Sequence, residues 1–333
     1  MNNKIIVADA LDGLRRIENE SVQTCITSPP YYGLRDYGIA GQIGLEATPE
    51  EYIAKLVDVF REVLRTLAPS GTLWVNIGDS YAGSGKGQAA SGTGIQDAKR
   101  GKLHGMALPT GALDGVKGKD LIGIPWLLAF ALRADGWYLR QDIIWHKPNA
   151  MPEGVKDRCT KSHEYIFLLS KSKQYHFDSD AITEPAAPDN RKASFNKGAA
   201  KYDNAVVIPG QKANTSAFGG RPHERWREKD GIRTRNKRSV WTIPTQPNKE
   251  AHFATFSVDL VTPCILAGSR RGDIVLDPFS GSGTTALAAI SNGRGYIGIE
   301  INPDYAAIAE RRIEGATAQL DFESVERETA VVQ

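Results

Sequence analysis

The sequence predicts an α/β fold: a mainly parallel, twisted sheet with helices on both faces, interrupted by a basic insertion. Three observations predict it. β-rich runs alternate with helical stretches toward both ends of the chain, the pattern of parallel strands joined by crossover helices. A strand ending at Asp277 passes through a glycine turn directly into a helix. Between those ends the periodicity fails and the chain turns basic, as an insertion would.

Lys4 to Ala8 is a short apolar run, with a helical stretch after it to about Glu18. Val22 to Thr27 is a second β-rich run, ending in Ser28-Pro29-Pro30. From Glu50 to Ala68 apolar residues recur at helical spacing (Ile53, Leu56, Val57, Phe60, Val63, Leu64, Leu67), and Pro69-Ser70-Gly71 stops the helix. Thr72 to Ile77 is a third strand. Residues 80–119 dissolve into Gly, Ser, Ala and Lys, with six basic residues against two acidic ones, and read as a mobile basic loop. A helix is expected near Ile124 to Ala134, then strands around Trp137 to His146 and Glu164 to Ser170. After the insertion come a helix from about Ser257 to Ala267, a strand Ile274 to Asp277, a helix past Gly283, a strand Tyr296 to Ile301 and a helix from Pro303 to about Ala318. The expected organisation is one α/β domain over 1–180 and 248–320, an insertion over 181–247 and a tail over 321–333.

A chain of 333 residues that is 41% hydrophobic has enough apolar surface for one large core. Its net charge of +2 conceals an uneven distribution. Residues 181–247 carry thirteen Lys or Arg against six Asp or Glu, a net +7, so the remainder is net −5. That asymmetry points to a polyanionic partner. The insertion also interleaves Phe195, Tyr202, Phe218, Trp226 and Trp241. Cys25, Cys159 and Cys264 form no CxxC pair, which speaks against a zinc site or a disulfide framework and for a reducing compartment. No apolar core follows the basic start of the chain, and no apolar run approaches the ~18 residues of a membrane span. A cytoplasmic protein without membrane contact is expected.

Asp277-Pro278-Phe279-Ser280-Gly281-Ser282-Gly283-Thr284 joins an apolar strand to a helix. Glycines there let the backbone approach a ligand closely, and the helix start offers free N–H groups. Glu300 closes the next strand, 17 residues past Gly283, where a carboxylate can accept from both ribose hydroxyls. Such a unit binds a nucleoside-containing cofactor. The glycines also match the GxGxxA dinucleotide fingerprint, so NAD and S-adenosylmethionine both remain open on this motif alone.

Ser28-Pro29-Pro30-Tyr31 follows a β-rich run directly. Two prolines remove two backbone donors, leaving carbonyls and the Ser28 hydroxyl beside an aromatic ring. The amino nitrogen of cytosine or adenine is a poor nucleophile because its lone pair is delocalised into the ring. Acceptors on its N–H bonds, here Ser28 Oγ and the Pro29 carbonyl, favour the pyramidal nitrogen that can attack a methyl group. Tyr31 is placed to stack on a base that has left the duplex.

Together, Ser28-Pro29-Pro30-Tyr31 and the run from Asp277 to Gly283 resemble the amino-methyltransferase family of DNA methylases. The catalytic tetrapeptide precedes the cofactor glycines, as in the circularly permuted β class of that family, and the resemblance covers about 1–180 and 245–320. It implies a fold of the S-adenosylmethionine-dependent methyltransferase type with S-adenosylmethionine as cofactor and double-stranded DNA as partner. It makes 1–180 with 248–320 the catalytic domain and 181–247 the target-recognition region. Carried over by position, Phe279, Gly281, Gly283 and Glu300 resemble the cofactor-binding residues. Asp277 and Thr284 complete that turn, and Asp9 resembles the acid that approaches the cofactor's adenine, although Asp before a helix also serves as an N-cap. Ser257 ends the stretch His252 to Ser257, which resembles the segment near the methionine end. The run Trp145-His146-Lys147-Pro148-Asn149 resembles a loop near the flipped base, making Lys147 and Asn149 candidate DNA contacts. Arg225, Arg227, Arg233, Arg235, Lys237 and Arg238 are candidate phosphate or guanine contacts.

Ser at the head of the tetrapeptide implies N4-cytosine methylation; N6-adenine methylation is the alternative. C5-cytosine chemistry needs a thiolate nucleophile, but Pro263-Cys264 lies before the glycine turn inside a helical pattern, and reads as core. A non-catalytic DNA-binding protein and an RNA or protein-glutamine methyltransferase stay as further alternatives. No metal is expected, and His146, His163 and Glu164 are assigned to structure or DNA contact. A homodimer and a separate cognate restriction nuclease are compatible partners, while no nuclease motif is visible in this chain.

Overall fold

The computed structural model describes residues 3–34, 36–82, 116–186, 227–229, 231–246 and 257–331. β1 (Lys4–Val7), α1 (Ala10–Leu14), β2 (Val22–Thr27), α2 (Pro49–Thr66) and β3 (Leu67–Ile77) come first, followed by α3 (Ile124–Ala134), β4 (Tyr138–His146) and β5 (His163–Ser170). Then come β6 (Glu184–Pro185), β7 (Arg227–Lys229), β8 (Ile232–Arg235) and β9 (Val240–Thr242). The chain closes with α4 (Val258–Gly268), β10 (Ile274–Asp277), α5 (Thr284–Ser291), β11 (Gly295–Glu300) and α6 (Pro303–Val331).

Eight strands form one sheet in the order β1-β11-β10-β2-β3-β5-β4-β9. β1, β11, β10, β2 and β3 are mutually parallel. β5 runs antiparallel to both neighbours, β3 and β4, and β9 is parallel to β4. β2 is buried along its whole length, as expected for a parallel strand covered on both faces. α1, α2 and α3 pack on one another, as do α4, α5 and α6. This is the α/β, mainly parallel sheet expected from the sequence. Among the described residues no helix is long and apolar enough to cross a membrane.

α2 illustrates how local sequence fixes an element. Thr48 caps it, accepting from the Glu51 N–H at 3.2 Å, and Pro49 occupies its first turn. Tyr52, Leu56, Val59, Phe60 and Val63 are fully buried along one face. The helix stops at Thr66, and Leu67 is already extended, so β3 begins five residues before the expected Thr72 and takes in Pro69 and Gly71.

The chain divides into two compact units, Met1–Ala181 with Arg238–Gln333, and Ile182–Lys237. The charge-based end of the insertion at 247 therefore needs correcting. Val240–Thr242 pairs with β4, Trp241 is buried, and its indole donates to the Arg238 carbonyl at 2.8 Å. The second unit carries a three-stranded antiparallel sheet, β6-β8-β7, where no strand was expected. The Asp230-Gly231 dipeptide between β7 and β8, with Gly231 at φ +74°, is the local signal for that hairpin. The expected tail from 321 is also corrected, since α6 continues to Val331. Most of the expected basic loop, residues 83–115, lies outside the described residues.

The orientation of β5 positions the site. The carboxyl ends of β1, β11, β10, β2 and β3 share one edge of the sheet because those strands are parallel. Antiparallel β5 brings its amino end, His163 and Glu164, to that edge, and β4 returns its carboxyl end, Trp145 and His146, to it. Ligands of open α/β sheets bind at this edge.

Candidate active site

A cavity of about 300 Å³ opens at that edge and runs from Asp9, Phe279, Gly281, Glu300, Asn302 and Tyr305 past Ser28–Tyr31 to Asn76, Trp145, Lys147 and Glu164. Its walls come from both ends of the chain, held together by a buried carboxylate. Asp277, at the end of β10, accepts from Thr27 Oγ1 on β2 at 2.6 Å, from Thr285 Oγ1 on α5 at 2.7 Å and from the Phe279 N–H at 3.0 Å. Burial pushes its pKa up to about 6 against the pull of those three donors. Asp277 does not line the cavity; the expectation that it binds cofactor is corrected to a strap between the two motifs.

Beyond Asp277 the chain turns on glycines. Gly281 takes φ +52°, donates its N–H to Glu300 Oε2 at 2.8 Å, and a Cβ there would meet no protein atom within 4 Å. Glu300 Oε1 accepts from the Asn302 N–H at 2.8 Å. The carboxylate is thus aimed by two backbone donors and retains a lone pair on each oxygen for a diol. Burial raises its pKa, and the backbone hydrogen bonds oppose the rise. Gly283 is a correction: it does not line the cavity, takes φ +80° as the N-cap of α5, and a Cβ would sit 2.9 Å from that of Ala309 on α6. It permits helix packing, while Thr284 beside it does line the cavity.

Asp9 caps α1 through the Leu11 N–H at 2.9 Å and also lines the cavity. Ser257 is buried at the N-cap of α4, makes no capping bond and lies outside the cavity lining; residues 252–256 before it lie outside the described residues. Cys264 is buried and donates to the Leu260 carbonyl at 3.5 Å, a core thiol away from the cavity.

Ser28, Pro29, Pro30 and Tyr31 all line the cavity. The Pro30 carbonyl is occupied by the Tyr52 hydroxyl at 2.7 Å, which leaves Ser28 Oγ and the Pro29 carbonyl as the notch's acceptors. Tyr31 donates its hydroxyl to Glu164 Oε2 at 2.8 Å. Its ring lies so close to β3 that a Cβ on Gly78 would be 2.7 Å from it. Burial, then the Glu164 charge, raises the phenol pKa well above the usual range.

Glu164, assigned from sequence to structure or DNA contact, ties the base end of the cavity together. Its Oε2 accepts from Tyr31 and from Asn76 Nδ2 at 3.2 Å, and its Oε1 pairs with Lys147 Nζ. The ammonium lies 4.2 Å from the centre of the Trp145 ring, and the Trp145 indole is tied to the Ile243 carbonyl at 2.8 Å. Lys147, an expected DNA contact, forms a largely buried ion pair inside the cavity. Asn149 is outside it, with its carboxamide bracketing the Thr245 backbone at 2.9 and 3.0 Å. Of the candidate DNA contacts, Arg225 lies outside the described residues. Arg227 and Arg233 stand on the β7–β8 hairpin opposite Thr234 and Glu228. Arg235 is corrected: it pairs with Glu184 at 2.8 Å and both side chains are mostly buried. Lys237 ends the second unit, and exposed Arg238 begins the return to the main sheet.

The glycine turn with its aimed carboxylate and the acceptor notch share one cavity, an arrangement suited to a group-transfer enzyme. Residues 22–311 match the DNA methylase family. The Type II methyltransferase M.Cfr9I of Citrobacter freundii is 45% identical over 307 residues, spanning 92% of this chain and 86% of that one. The chain belongs to the DNA methylase family. Its fold is also that of PvuII DNA methyltransferase (cytosine-N4-specific), with a TM-score of 0.59 at 18% identity over 96% of this chain and 91% of the other. TTHA0409 of Thermus thermophilus, solved complexed with S-adenosyl-L-methionine, gives a TM-score of 0.54 at 22% identity over 94% of each chain.

Proposed function

We propose that this methyltransferase transfers the methyl group of S-adenosylmethionine to the exocyclic N4 of a cytosine flipped out of double-stranded DNA. The observation that carries the reading is the continuity of one cavity from Glu300 to the Ser28–Pro29 notch. The cofactor half fits a nucleoside: two aimed carboxylate oxygens suit a ribose diol, and Phe279 and the open face of Gly281 suit a flat base and close approach. When bound, S-adenosylmethionine supplies an electrophilic methyl group on a sulfonium.

Ser28 Oγ and the Pro29 carbonyl take the two amino N–H bonds, which localises the nitrogen lone pair for in-line attack. Held by Phe279, Gly281 and Glu300, the sulfonium would supply its methyl group to that nitrogen and be left as a neutral thioether. The surplus amino proton leaves to water. Tyr31, fixed by Glu164 and by its close approach to Gly78, offers a stacking face to the base. The head residue Ser28 supports cytosine over adenine. The insertion, with its net +7 over 181–247, is read as the target-recognition region, where Arg227 and Arg233 of the hairpin are candidate contacts.

Mass spectrometry of nucleosides from unmethylated duplex DNA incubated with enzyme and S-adenosylmethionine tests the reading. N4-methylcytosine is expected. N6-methyladenine would replace the base assignment while keeping the notch chemistry, and no methylated nucleoside on varied DNA would overturn the substrate.

A further inference from the structure

The base-facing end of the cavity holds one feature that amino methylation does not by itself require. Lys147 is the one cation among the described residues lining the cavity. Only 18% of its side chain is exposed, and 15% of that of its partner Glu164. Burying an ion pair is costly unless its geometry is exploited. One of the three ammonium N–H bonds goes to Glu164 and the Trp145 ring lies beside the group, so a donor remains for whatever fills the cavity. The Tyr31–Glu164 hydrogen bond of 2.8 Å connects this donor rigidly to the Ser28–Tyr31 segment.

We propose that Lys147 is a specificity-determining residue that donates to the ring nitrogen next to the target amino group, so that the cavity reads the N=C–NH2 edge of the base. The inference rests on the reading of the site as an amino-methyltransferase. Acceptors for an amino group beside a donor for its neighbouring ring nitrogen match cytosine and adenine, whose ring nitrogens accept there. Thymine carries an N–H at the matching position and is refused. Pairing with Glu164 has a second consequence. Positive charge builds on the amino nitrogen as the methyl group arrives, and an unpaired ammonium beside the ring would oppose it. The Lys147–Glu164 pair provides the donor with no net charge.

The test compares duplexes carrying cytosine or 3-deazacytosine at the target position, which differ at the ring nitrogen, as substrates for the wild type and for Lys147→Met. The intrinsic reactivity of the analogue cancels in the ratio of ratios. The wild type is expected to lose roughly 10- to 100-fold in kcat/KM on the analogue beyond that intrinsic change, the range for a hydrogen bond to a charged group. Lys147→Met should lose about the same on cytosine and, within about threefold, nothing further on the analogue. A double variant, Lys147→Met with Glu164→Gln, removes both charges and keeps an acceptor for Tyr31; it should behave like the single variant and guards against misfolding caused by an orphaned carboxylate. Equal losses on both substrates in either variant would overturn the proposal. Absence of methylation of the cytosine duplex by the wild type would instead overturn the functional reading beneath it.

Discussion

The two ends of the cavity are built by different means. The end proposed for the cofactor is a contiguous run, Asp277 to Thr284, whose Gly281 N–H joins that of Asn302 in aiming a single carboxylate, Glu300, from the adjacent strand. The base end is assembled from side chains on four strands or their ends, Tyr31, Asn76, Lys147 and Glu164, far apart in sequence. A site of the first kind is specified by local turn chemistry and tolerates change in its surroundings. A site of the second kind depends on strand order, and on the antiparallel β5 in particular, because reversing that strand would remove Glu164 from the edge.

The largest expected effect probes the junction between the ends. Ser28→Ala deletes one of the notch's two acceptors and is expected to lower kcat about 10²- to 10³-fold in a methyl-transfer assay, the scale for losing one preorganised polar group. A loss below about threefold would remove Ser28 from the chemistry.

Next is the strap. The Asp277 pKa rises from 3.8 to about 6 on folding, so the fold favours the protonated acid. Its contribution is fully present below about pH 4 and is lost as pH rises through about 6, a change of about 3 kcal/mol. Asp277→Asn removes that dependence. Denaturant titrations of both proteins at several pH values should show wild-type stability falling relative to the variant between about pH 4 and 7; parallel curves would mean that Asp277 is not so perturbed.

The smallest effect separates the two glycines. Both take positive φ, so alanine strains the backbone by about 1–2 kcal/mol at either position. Only Gly283→Ala also drives a Cβ into Ala309, adding about 1–3 kcal/mol. Gly283→Ala should therefore melt lower than Gly281→Ala, while Gly281→Ala should weaken S-adenosylmethionine binding more. Equal melting temperatures would break the distinction.

The same contrast explains what could be read from the sequence. The alternating elements, the glycine turn, Glu300 and Ser28–Tyr31 are local signals, and the structure brings them to one sheet edge. What escaped reading depends on distant partners. Asp277 is a strap because Thr27 lies 250 residues away and yet donates to it at 2.6 Å. Arg235 resembled a DNA contact because Glu184, 51 residues earlier, is invisible as its partner. Gly283 resembled a ligand-approach glycine because Ala309 lies on another helix. Val240–Thr242 is too short for any period, and only its pairing with β4 makes it a strand. The place of Glu164 in the cavity was not legible because a mainly parallel reading of the sheet gives no reason for a strand's first residues to reach the active edge.

One titration tests the division of the cavity most directly: calorimetric binding of S-adenosylmethionine to the wild type, Glu300→Gln and Ser28→Ala without DNA. Glu300→Gln replaces a carboxylate oxygen that accepts from backbone with an amide that cannot, and should raise Kd roughly 10- to 100-fold. Ser28→Ala should leave Kd within about twofold, since its hydroxyl serves the base. Weakening by Ser28→Ala as large as that by Glu300→Gln, or unchanged affinity in Glu300→Gln, would contradict the assignment of the two ends.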